Sequence, residues 1–228
     1  MKGSGMKELI RPGFFGTQAS ADTRRREFDI LNEQYLYSGK TADIIFFGDS
    51  ITHYWDLNLY FNPNILKINR GIGGDCTVYA AKRFDADVLQ LNAEIIVILI
   101  GINDLISTAP DLWWKDPGQD VDTVMKNIEE GYRDMLSKCY GKKVYVCSLL
   151  PQRIAPPFDR DELKELILTT NDMLEKLSDE YKSEYVDYYS VLEQDGLLPE
   201  DLSCDGIHPN GKCYKIMASV LKEKIDIL

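Results

Sequence analysis

Histidine is scarce in this chain: only His53 and His208 occur in 228 residues. So little imidazole limits both metal chemistry and histidine base catalysis. The five cysteines, Cys76, Cys139, Cys147, Cys204 and Cys213, include no CxxC pair and are odd in number. That excludes a closed disulfide framework and points to reduced, mostly buried thiols, with no zinc site. No apolar run approaches the ~20 residues that span a bilayer. Met1-Lys2-Gly3-Ser4-Gly5-Met6 has no apolar core of the signal-peptide kind. A cytoplasmic protein without stable membrane insertion is the expectation. Basic charge is also in deficit: 26 Lys and Arg face 37 Asp and Glu, for a net charge of −11. An acidic chain disfavours nonspecific binding to nucleic acid and to anionic membranes, and leaves neutral and zwitterionic ligands open.

What is present is an ordinary globular composition, 44% apolar and 28% charged. The length fits one large domain. Residues 1–20 read as a flexible or turn-rich lead-in, with Pro12-Gly13 and Gly16 as turn signals, and 21–228 as a single domain. Five short apolar runs read as strands: Ile44 to Phe47, Ile65 to Ile68, Ile95 to Ile100, Val144 to Cys147 and Tyr185 to Tyr188. The third is the most apolar and reads as a central strand, whereas the fifth is polar enough for an edge. Between them run helical stripes with a period near 3.6, such as Val121, Val124, Ile128, Met135 and Leu136. A helix is also expected from about Ala21 to Tyr37, with Arg24-Arg25-Arg26 on a solvated face. Alternating strands and helices predict an α/β fold, a parallel sheet with helices on both faces.

In such a sheet, ligands bind beyond the carboxyl ends of the strands. Gly48-Asp49-Ser50 follows the first strand, and Asn69-Arg70-Gly71-Ile72-Gly73-Gly74-Asp75 the second. Gly101-Ile102-Asn103-Asp104 follows the third, and Asp205-Gly206-Ile207-His208 lies beyond the fifth. These groups fit acyl transfer. Ser50 is a weak nucleophile unless a base takes its proton. His208 can be that base, and Asp205, three residues earlier, can orient its ring. His53 competes for the role but has no carboxylate at a useful spacing, since Asp56 points along the helix. An oxyanion would find donors in the Ser50 N–H, the Gly74 N–H and the Asn103 carboxamide.

Blander readings exist for each block. Gly71 to Gly74 also fits a tight strand-to-helix turn, and imitates a dinucleotide loop without its third glycine. Asn103-Asp104 fits a helix cap. Asp49 and Asp104 invite a metal, but the histidine deficit and the lack of a clustered carboxylate motif weigh against one. Asp205-Gly206 fits a plain turn, and Cys204 beside it a buried thiol. A catalytically silent binding module, or a phosphate- or nucleotide-binding protein on the same architecture, would be the alternatives to an enzyme.

Taken as an ordered set, Gly48-Asp49-Ser50, Gly74, Gly101-Ile102-Asn103-Asp104 and Asp205-Gly206-Ile207-His208 resemble the four sequence blocks of the SGNH, or GDSL-type, esterases and lipases. The stretch Asn69 to Asp75 is especially similar to the catalytic subunits of the intracellular platelet-activating-factor acetylhydrolases. Ile51 stands where the family name has Leu. The resemblance implies a flavodoxin-like three-layer α/β/α sandwich around a five-stranded parallel sheet. It implies Ser50 as nucleophile, His208 as base, Asp205 as orienter, and Ser50, Gly74 and Asn103 around the oxyanion, with no metal or organic cofactor. The substrate would be a small-molecule ester, short-chain acyl or acetyl, with a carbohydrate O-acetyl ester, a lysophospholipid or a thioester as alternatives. Asp49, Trp113 and Trp114 are the candidate pocket residues, and a homodimer is left open.

Overall fold

The structure is a computed structural model, and it describes residues 9–16, 19–110, 117–154 and 159–228. Five strands form one parallel sheet: β1 (Ile44–Gly48), β2 (Lys67–Gly71), β3 (Ile95–Leu99), β4 (Lys143–Cys147) and β5 (Glu184–Val186). Their order is β2-β1-β3-β4-β5, and every neighbouring pair is parallel. The α-helices before, between and after them are α1 (Asp22–Ser38), α2 (Ser50–His53), α3 (Leu57–Tyr60), α4 (Thr77–Asp87) and α5 (Ile102–Ile106). They are followed by α6 (Val121–Ser137), α7 (Arg160–Tyr181), α8 (Tyr189–Leu192) and α9 (Gly211–Lys222). Among the described residues no helix is long and apolar enough to cross a membrane.

The two faces of the sheet are visible in adjacent residues of β1, because successive strand side chains point to opposite sides. Phe46 packs against Trp55 and Phe61, with ring centroids 5.7 and 5.4 Å away. Phe47 meets Phe84 of α4 edge-on at 5.2 Å on the other face. Both are buried, and burying a side chain of this size contributes about 1.5–3 kcal/mol. β1 and β3 are buried along their whole length, so they read as continuous apolar runs rather than alternating ones. From β1 the chain winds first outward to β2, then back across to β3. The winding therefore reverses between β1 and β3, and a crevice opens beyond their carboxyl ends.

Several expectations need correction. β2 begins later than its apolar residues suggest, at Lys67 rather than Ile65. The Leu66 N–H is taken by the Asp43 carboxylate at 2.6 Å, and the pairing with β1 runs from Lys67 through the polar Asn69-Arg70 to Gly71. β5 lies at the edge as expected but stops at Val186, because Asp187 turns to accept the Ser190 N–H at 3.0 Å. Arg25 is not on a solvated face. It is buried, paired with Asp87 of α4 and with Asp29 at 2.6 Å. Cys204 is exposed rather than buried. The described part of the lead-in, residues 9–16 and 19–20, has no helix or strand, and its first stretch is held to the domain. Ile10 exchanges two hydrogen bonds with Gln90, and Phe15 stacks on Tyr79 at 5.9 Å.

Candidate active site

The exit of β1 is built for close approach. A Cβ on Gly48 would lie 2.1 Å from the Leu99 carbonyl oxygen of β3, so only glycine fits there. Asp49 caps α2 by accepting the Ile51 N–H at 2.9 Å. It is fully buried, so it braces the turn from beneath and does not line a pocket as expected from sequence. Ser50 is the first residue of α2 and only 5% exposed. Its Oγ lies 3.0 Å from Nε2 of His208.

His208 reaches across from the loop before α9. Its Nδ1 lies 2.6 Å from Asp205 Oδ2. The other carboxylate oxygen, Oδ1, accepts the backbone N–H groups of Ile207 at 3.0 Å and His208 at 2.8 Å. Burial pushes the Asp205 carboxyl up. The His208 amide and ring and the Ile207 amide outweigh it and hold the group below the usual carboxylate range. The loop itself is pinned at both ends. The His208 carbonyl accepts from Ser203 Oγ and from the Cys204 N–H, and Asn210 caps α9. α9 is fastened to the nucleophile turn by Tyr214, whose hydroxyl donates to the Ile51 carbonyl at 2.8 Å.

The second histidine is elsewhere. His53 Nδ1 accepts the Gly73 N–H at 3.3 Å, and its ring stacks on Tyr54 at 4.9 Å. Burial and the nearby Arg24 charge lower its pKa. Its contacts brace the glycine turn, whereas the Ser50 hydroxyl meets His208.

Gly74 and Asn103 follow β2 and β3 at the same end of the sheet as Ser50. Gly74 has φ +75°, the left-handed region, and a Cβ there would fall 2.8 Å from Ser20 Oγ. The N–H groups of Ser50 and Gly74 donate to no described residue. Asn103 donates one amide hydrogen to the Asp75 carbonyl at 3.0 Å, which fixes the carboxamide and leaves its second hydrogen free of that bond. Among the described residues, no three acidic, histidine or cysteine side chains gather in a metal-holding group. Trp113 and Trp114 lie outside the described residues.

Sequence reasoning missed two parts of the site. Tyr54 is 59% exposed, and its ring meets His208 edge-on at 5.3 Å. Its position one helical turn after Ser50 was the available signal. Arg83 and Asp75, eight residues apart at no helical spacing, form a fully buried ion pair at 2.7 Å behind the rim. Nothing local in the sequence marks that pair.

Burial pushes Asp49 up to about 7, with Asp75 and Asp104 adding to the effect against the Ile51 N–H. Burial likewise raises Asp104 to about 7, against two hydrogen bonds from Thr77. Unfolded, both would titrate near 3.9. From about pH 4 to 7 the folded chain thus holds more protons than the unfolded one, and stability falls as pH rises. The slope is at most about 1.4 kcal/mol per pH unit for each group. Asp205 acts only below that window, since its depressed pKa matters as pH drops under about 4. Thermal unfolding is therefore expected at lower temperature at pH 8 than at pH 5, and Asp49→Asn should flatten the profile. An unchanged slope in that variant would refute the account.

Where a parallel sheet reverses its winding, a serine hydroxyl meets a histidine that a carboxylate holds, and fold and comparisons together define an ester hydrolase. The chain belongs to the GDSL-like lipase/acylhydrolase family, whose pattern matches residues 46–216. Among solved structures it is similar to a GDSL-like lipase of Bacteroides thetaiotaomicron, with TM-score 0.69 and 26% identity over 91% of this chain and 98% of that one. A protein of Bacteroides fragilis assigned as an acylhydrolase gives TM-score 0.71 and 25% identity over 88% and 95%. An acetylxylan esterase of Geobacillus stearothermophilus shares the fold, with TM-score 0.60 and 19% identity over 80% and 93%. Among curated proteins none matches the chain.

Proposed function

We propose that this chain is a serine esterase that cleaves short-acyl, chiefly acetyl, esters through an acyl-enzyme. The observation that carries the reading is the unbroken line from Ser50 Oγ to His208 Nε2 at 3.0 Å and from His208 Nδ1 to Asp205 at 2.6 Å. Ser50 Oγ attacks the ester carbonyl carbon while its proton passes to Nε2. The carbonyl oxygen takes up negative charge beside the Ser50 and Gly74 N–H groups and the Asn103 carboxamide. As the intermediate collapses, the C–O bond to the alcohol breaks and Nε2 returns the proton to the departing oxygen. A water then repeats the sequence against the acyl-enzyme. It gives its proton to Nε2, the acid departs, and Ser50 Oγ is reprotonated. Asp205 fixes the Nδ1–H tautomer throughout. A fluorophosphonate is expected to add one phosphonyl group to the peptide bearing Ser50, read by mass spectrometry. An adduct on any other residue, or none, would reject the assignment.

The exposed ring of Tyr54 beside His208 favours a second reading, in which the alcohol is a sugar. A flat aromatic wall suits the face of a pyranose, and a fold relative is named an acetylxylan esterase. Acetate release from acetylated xylo-oligosaccharides, compared with p-nitrophenyl acetate, decides between a carbohydrate and a general esterase. Indifference to the sugar would leave the general reading standing alone.

A further inference from the structure

We propose that Arg83 is a positioning residue that sets the geometry of the oxyanion donors. The inference rests on the serine-esterase reading, because it concerns how that site is held. Arg83 sits on α4, is fully buried, and touches neither Ser50 nor the crevice. Its guanidinium lies over the Phe47 ring, 4.1 Å from the centroid. Nη2 donates to the Gly48 carbonyl at 3.0 Å, at the point where β1 turns into the nucleophile. Nη1 donates to the Arg70 carbonyl at 3.0 Å, at the end of β2 and just ahead of the glycine turn. Nε donates to Asp75 Oδ2 at 2.7 Å, and Asp75 is the residue after Gly74. The Asp75 backbone carbonyl in turn holds the Asn103 amide.

One planar group thereby fastens the backbone behind Ser50, the backbone around Gly74, and, through Asp75, the Asn103 side chain. These are the three donors assigned to the oxyanion. The same Nη1 also meets Asp87 at 3.1 Å, and Asp87 continues to Arg25 and Asn32 of α1. Asp87 thus ties α4 to α1, and Asn32 in turn accepts from the Arg70 guanidinium at 2.8 Å. The guanidinium fork is needed because its acceptors diverge. A lysine ammonium keeps the charge but is a point donor on a flexible stem, and cannot hold Gly48, Arg70 and Asp75 in one plane.

The test is Arg83→Lys, with active sites counted by fluorophosphonate labelling to completion and turnover expressed per labelled site. We expect kcat per site on p-nitrophenyl acetate to fall about 10- to 100-fold with KM within about twofold. This is less than the roughly 100- to 1,000-fold loss when a donor is removed outright. Asp29→Asn is the control. It loosens the α1–α4 tie at Arg25, one step removed from Arg83, so unfolding should come at lower temperature while kcat per site stays within about twofold. Wild-type turnover per site in Arg83→Lys would overturn the proposal. So would an equal loss in Asp29→Asn, which would reduce the effect to general destabilisation. Should Arg83→Lys yield no folded protein, Asp75→Asn takes its place and must show the same kcat-selective loss. Failure of the wild type to label at Ser50 would sink the esterase reading instead, so the two failures are told apart.

Discussion

Ser50→Ala is expected to lower kcat for ester hydrolysis by about a millionfold. The size follows from what the residue does rather than from what it packs against. Without Oγ there is no acyl-enzyme, and the His208–Asp205 pair has nothing to activate except water. The oxyanion donors survive, so a residual acceleration of roughly 10³–10⁴-fold over the uncatalysed reaction should persist. The fold should be indifferent to the change. Among the described residues the hydroxyl makes one hydrogen bond, to His208, and the backbone bonds that build α2 do not involve it. The Asp49 cap and the Tyr54 N–H bond to the Ser50 carbonyl both remain. Stability should stay within about 1 kcal/mol, the range of substitutions that open no large cavity. Steady-state kinetics and thermal unfolding on the same preparation check both halves. A variant that kept even a tenth of wild-type kcat would exclude Ser50 as the nucleophile.

Much of the architecture could be read from the chain because the relevant signals are local. Ile44-Ile45-Phe46-Phe47 and Ile95 to Leu99 are buried on both faces, and a fully buried parallel strand needs no more than an unbroken apolar run. That Ser50, Gly74 and Asn103 follow β1, β2 and β3 at one end of the sheet was also legible, since parallel strands place all their exits on one rim. The three-residue spacing from Asp205 to His208 is equally legible, since a single turn converts it into hydrogen bonds. The parts that escaped depend on partners far away in sequence. Arg25 looks solvated until Asp87, 62 residues later, is packed against it. Arg83 carries no mark in the sequence, and only the folded chain brings the Gly48 and Arg70 carbonyls to it. The start of β2 was misplaced for a related reason. Its apolar run opens two residues before its ladder with β1, which extends from Lys67 past the apolar residues through Asn69 and Arg70 to Gly71. Burial of a charge or of a polar strand end is a tertiary property, and periodicity carries no record of it.

Asp205→Asn is expected to cost up to roughly 10⁴-fold in kcat, although it changes a single atom type. The hydrogen bonds decide which way the new amide faces. Oδ1 accepts two backbone N–H groups, from Ile207 and His208, and Oδ2 meets one ring nitrogen. An asparagine keeps its carbonyl oxygen on the two amides, because turning it around would set its NH₂ against both of them. Its NH₂ therefore faces His208 Nδ1 and must donate there. Nδ1 becomes an acceptor, the proton moves to Nε2, and Nε2 then points a hydrogen at Ser50 rather than a lone pair. The base is present, correctly placed and in the wrong tautomer. Asp205→Ala removes the carboxylate without imposing a tautomer, and its side chain is half exposed, so water can take over the freed contacts. The alanine variant should therefore be the more active of the two, the reverse of what loss of packing or of loop structure would give. Kinetics on both variants, with the imidazole ring nitrogens followed by NMR, make the comparison direct. Should asparagine prove the milder substitution, Asp205 would act mainly by shaping the loop, and its part in orienting His208 would have to be withdrawn.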